Sequence, residues 1–167
     1  MTTKKKLILA LAAVLVAAYA FWCWWTAPDK TMQQDGLRAK PKPTPVTIES
    51  LVSDCRDSTD RNFPDRNIVD YNADEKILTI AVWIDDMDYA AAYAIIGTSG
   101  TLDVWEELVA DLENAGAAWQ NAFDRSGFSD VTVVMHLLDP TDQSKALISV
   151  ARGRLIYDVV GEYLDGK

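Results

Sequence analysis

A chain of 167 residues with 25 acidic and 16 basic side chains carries a formal net charge of −9, and 49% of its residues are hydrophobic. That apolar content argues against a wholly disordered polymer, and the acidic balance argues against nucleic-acid binding, which needs a basic face. The length suits one domain, yet charge and hydrophobicity are divided along it into compartments.

Lys4, Lys5 and Lys6 are followed by residues 7–25, a run of 19 without a charge. As a helix this run spans about 29 Å, against about 30 Å for the hydrocarbon core of a bilayer. Tyr19, Trp22, Trp24 and Trp25 crowd its far end, and such rings favour the headgroup level. The lysines ahead of the run predict residues 1–6 in the cytoplasm and everything after 25 outside it. The expectation is a single-pass plasma-membrane protein with an uncleaved signal-anchor. A cleaved signal peptide competes, with Ala18-Tyr19-Ala20 as its site. That cut would expose Phe21, Trp22, Trp24 and Trp25 at a new N-terminus. Lipidation at Cys23 would want a small residue where Trp22 stands.

Residues 26–46 hold Pro28, Pro41, Pro43 and Pro45, four of the six prolines. Lys40-Pro41-Lys42-Pro43-Thr44-Pro45 favours extended polyproline II, at about 3.1 Å per residue, and reads as a spacer. Residues 47–167 then carry nine bases against 23 acids, a net of −14. Cys23 lies in the span and Cys55 in the outer domain, too far apart to bond, so that domain must stand on core packing.

Helical spacing of Ile48, Leu51, Val52 and Cys55 predicts a helix over 46–56, capped by Thr47 or Ser50. Residues 57–67, polar and containing Pro64, read as a loop. Strands follow at 68–72 and 77–84, the second with Leu78, Ile80, Val82 and Ile84 on one wholly apolar face. Residues 88–96 are an alanine-rich helical piece, broken at 97–100 by Gly97-Thr98-Ser99-Gly100. The long helix over 102–126 places Trp105, Leu108, Leu112, Ala115, Trp119, Ala122 and Phe123 on one stripe. Glu106, Glu107, Asp111, Glu113 and Asp124 are expected to face away. Residues 131–138 alternate with Val131, Val133, Met135 and Leu137 inward, 139–142 make a loop, and 146–150 with 155–160 form a hairpin turning near Arg152-Gly153. The predicted fold is α+β: an N-terminal transmembrane helix, then a two-layer sandwich. One mainly antiparallel sheet carries helices on one face, in the order α-β-β-α-β-β-β.

Motifs for chemistry are sparse. The lone histidine, His136, cannot build a multi-histidine zinc site. A Ser-His-Asp triad would need His136, but no Gly-x-Ser-x-Gly elbow occurs. Asp85, Asp86 and Asp88 gather where strand yields to helix; they could converge on a divalent cation, or simply cap the helix. Asp70-Tyr71-Asn72-Ala73-Asp74-Glu75 imitates the start of an EF-hand loop, but Glu75 stands where glycine is required and Ala81 where the bidentate Glu belongs. Asp54, Asp57 and Asp60 form an acidic row suited at most to weak surface cation binding. No metal or other cofactor is expected. Trp83 and His136 share the outer strand faces with Thr79, Val134 and Leu138, an amphipathic surface of the kind protein partners use.

The sequence therefore points to a noncatalytic, membrane-anchored extracytoplasmic domain. It would bind another protein or assemble with itself at the cell envelope, through Trp83 and His136. The alternative is an envelope-associated enzyme or accessory factor that uses Asp85, Asp86 and Asp88.

Overall fold

The computed structural model describes residues 45–96 and 102–166. The expected span at 7–25, nearly all of the linker and the break at 97–100 lie outside the described residues. Among those described, no helix is long and apolar enough to cross a membrane.

Helix α1 (Ile48–Asn62) opens with a capping box: the Ser50 N–H donates to Thr47 Oγ1 at 3.2 Å, and the Thr47 N–H donates to Ser50 Oγ at 3.1 Å. It runs almost two turns beyond the end predicted at Arg56. Cys55 and Thr59 continue its buried stripe, and the Thr59 hydroxyl is satisfied by the Cys55 carbonyl at 2.8 Å. Of the run expected to be a loop, residues 57–62 are thus helix and only 63–66 form the turn into the first strand.

Strands β1 (Asn67–Asn72) and β2 (Ile77–Trp83) pair antiparallel. In the turn between them, Asn72 Oδ1 accepts from the Asp74 and Glu75 N–H groups at 3.0 and 3.1 Å, a local Asx turn where the sequence imitates an EF-hand. Helices α2 (Tyr89–Ile96) and α3 (Leu102–Arg125) carry the chain back, so that β3 (Thr132–Asp139) lies parallel to β2. Strands β4 (Asp142–Ala151) and β5 (Arg154–Asp158) complete an antiparallel meander. The five-stranded sheet has the order β1-β2-β3-β4-β5. It is mixed, with its parallel pair at the centre.

Two further boundaries differ from expectation. Strand β4 begins at Asp142, four residues early, because the loop at 139–142 is a tight turn around Asp139. That carboxylate is 3% exposed; Oδ1 accepts from the Thr141 N–H and hydroxyl and the Asp142 N–H, and Oδ2 accepts from the Tyr89 N–H at the start of α2. At the other end, residues 159 and 160 are not strand. Asp158 Oδ1 accepts from the Val160 N–H at 2.9 Å and caps helix α4 (Val159–Asp165). The order is therefore α-β-β-α-α-β-β-β-α. The β4–β5 turn has positive φ at Arg152 and Gly153, as a type I′ hairpin requires. A Cβ on Gly153 would lie 2.5 Å from that of Ala117, so glycine lets this turn press on α3.

All four helices contribute to one core on a single face of the sheet. Leu78, Ile80, Val133, Met135, Ile148 and Val150 meet Leu51, Cys55, Ala92, Trp105, Phe123, Val159 and Val160 there. The predicted inward faces of β2 and β3 hold. On α3, Trp105, Leu108, Leu112, Ala122 and Phe123 are buried as the stripe predicts, whereas Ala115 and Trp119 are half-buried. Gln120 is buried too; its amide donates to the Val131 carbonyl and accepts from the Val133 N–H, tying α3 to the start of β3. Asp111, expected to face away, is also buried.

Candidate functional site

Two of the three aspartates after β2 are turned to separate tasks. Asp88 Oδ1 accepts from the Ala91 N–H at 2.7 Å and caps α2. Asp85 pairs with Arg66 at 2.6 Å on the surface, and Asp86 is exposed in the same turn. Among the described residues, no group of three or more His, Cys, Asp or Glu side chains is arranged to hold a metal ion.

Trp83 and His136 lie on the sheet face opposite the helices. Ala81 is level with His136 and Trp83 with Leu138, so the two aromatic side chains are diagonal neighbours across the parallel pair. Both are half-buried. The row through His136 runs Ile68, Ala81, His136, Ser149, Tyr157, with Ile68 exposed at one end and the small Ala81 and Ser149 buried. His136 Nδ1 and Ser149 Oγ are 2.8 Å apart, the separation of a nucleophile and its base. The surroundings do not suit that chemistry. Both residues sit within paired strands, whose N–H groups serve the ladder instead of an oxyanion. Ser149 is 5% exposed, and among the described residues no carboxylate bonds to the ring to orient it. Burial lowers the His136 pKa, which disfavours the charged ring. Cys55 is no nucleophile either: it is fully buried, and burial pushes its thiol up to about 12.

A cleft of about 180 Å³ opens between α1 and α3 above the sheet. Its floor is Ile80, Val82, Met135, Leu137 and Ile148; Leu112 and Trp119 form one wall, and Thr59, Asn62 and Phe63 the other. This explains why Ala115 and Trp119 are only half-buried, since the stripe faces an opening there. Thr59 and Asn62 each donate to an α1 carbonyl, at 2.8 Å. Asp111 does not fit this apolar lining. It is 9% exposed, and its buried Oδ2 has no hydrogen-bond partner among the described residues. Burial raises its pKa, and Glu107, one turn earlier, adds to the effect.

The described residues fold into an α+β domain with a mixed five-stranded sheet and an apolar cleft that carries Asp111. No protein-family profile, curated protein or solved structure matches the chain.

Asp111 was missed from the sequence because its charge was weighed above its position. It lies three residues after Leu108 and four before Ala115, which is the spacing of the inward stripe. An acid at such a position is the signal.

Proposed function

We propose that this chain is a membrane-tethered binding protein without catalytic activity. Residues 7–25 anchor it, the proline-rich linker holds the domain off the bilayer, and the domain meets another protein or a second copy of itself outside the cytoplasm. The observation that carries this reading is the diagonal pairing of Trp83 with His136 on the sheet face opposite the core residues of β2 and β3. Tryptophan is the residue type most enriched at binding hot spots. The net −14 of residues 47–167 would repel an anionic membrane surface and draw basic partners at rates that fall with salt. The enzymatic alternative finds no support in Asp85 and Asp88, which are spent on an ion pair and a helix cap.

Two results follow. Protease added to intact cells should digest residues 47–167; a soluble protein beginning at Phe21 would contradict the anchor. Trp83→Ala should weaken association by about 2 kcal/mol or more while the thermal midpoint of the chain changes little. Unfolding of that variant would instead make Trp83 part of the core and remove the site.

A further inference from the structure

We propose that the cleft between α1 and α3 binds a small amphiphilic amine, its apolar body against the cleft floor and its ammonium group against Asp111. The argument begins with the carboxylate. A charge more than nine-tenths buried without a partner is costly, and such groups in native proteins are paired or serve a ligand. No cation of the described domain reaches Asp111 from within the cleft. Arg125 is the basic side chain in its lining, but it lies 14 residues further along α3, about 21 Å of helix rise away. Glu107 adds a second negative charge one turn from Asp111, which selects against an anionic ligand. A bound metal ion is also a poor fit, because hard cations want several oxygen ligands and the remaining walls are largely hydrocarbon. What matches is one positive nitrogen on a hydrophobic body. The volume, below the roughly 300–1,000 Å³ of drug-sized sites, limits that body to a small one.

The test uses the full chain in lipid nanodiscs, with ligand-observed NMR corrected against empty discs. Phenethylamine and phenethyl alcohol are the probes, alike in their apolar part and different in charge. Phenethylamine should bind at least tenfold more tightly than the alcohol, and Asp111→Asn should abolish that preference. Asp111→Asn removes a buried unpaired charge, so its thermal midpoint should not fall. Ala115→Trp, which fills the cleft, should eliminate both probes and locates the binding independently of Asp111. Equal binding of amine and alcohol would overturn the proposal, as would unchanged amine binding in Asp111→Asn. Tighter binding of the alcohol would also overturn it, since a protonated Asp111 would then be donating to a neutral ligand.

Discussion

Truncating Trp105 to alanine should destabilise the domain by about 3–5 kcal/mol, the largest effect expected of a single side chain here. The ring is 2% exposed and sits in the core between α3 and the sheet. Its Nε1–H donates to Asp158 Oδ1 at 2.8 Å, the same oxygen that caps α4. The substitution therefore empties a large volume and strips one partner from the carboxylate that starts the last helix. Trp105→Phe separates the two effects. It keeps most of the ring and should cost about 1.5–3 kcal/mol, the range for a hydrogen bond to a charged group. Denaturant unfolding of the two variants should rank alanine well below phenylalanine; equal midpoints would mean that packing around the ring is not what holds α3 down.

Asp139→Asn should cost about 2–3 kcal/mol through donors left facing an amide nitrogen. The carboxylate joins the β3–β4 turn to the start of α2 through both oxygens. An asparagine can accept on only one side. Burial by itself would raise the Asp139 pKa, but the hydrogen bonds from Thr141, Tyr89 and Asp142 outweigh it and hold the carboxyl below its ordinary value. The sign follows from linkage. A depressed folded pKa contributes stability that is fully present above the unfolded value of about 3.9 and is lost as pH falls through the folded one. The gap between wild type and Asp139→Asn should thus be constant near neutrality and close below about pH 4. A gap that persists undiminished at pH 2 would show that the ionised form is not what the turn uses.

The five strands were legible because alternation at 78–84 and 131–138 leaves no second way to bury Leu78, Ile80, Val133 and Met135. Three of the four pairings are antiparallel, as expected; the parallel pairing of β2 with β3 is not legible, since an alternating strand reads alike in either pair and only the two helices between them set that direction. Helix α4 was missed because Val159-Val160 has the composition of a strand, and the capping by Asp158 outweighs it. Asp111 and Gln120 are polar by residue type, but by position both lie within the apolar pattern of α3. In the sequence Asp139 reads as an ordinary loop residue, because its burial depends on α2 and β3 meeting at one end of the sheet, a tertiary fact that local sequence does not carry.

Placing a photo-activatable cross-linking residue at position 83 of the full chain, expressed in cells, tests the binding account most directly. Asn114, exposed on α3, serves as the control position. Irradiation should give a discrete adduct of fixed mass from position 83, either with another protein or with a second copy of the chain, and none of that mass from position 114. No adduct at 83, or the same products from both positions, would contradict the proposal that the sheet face bearing Trp83 and His136 is the surface this protein uses.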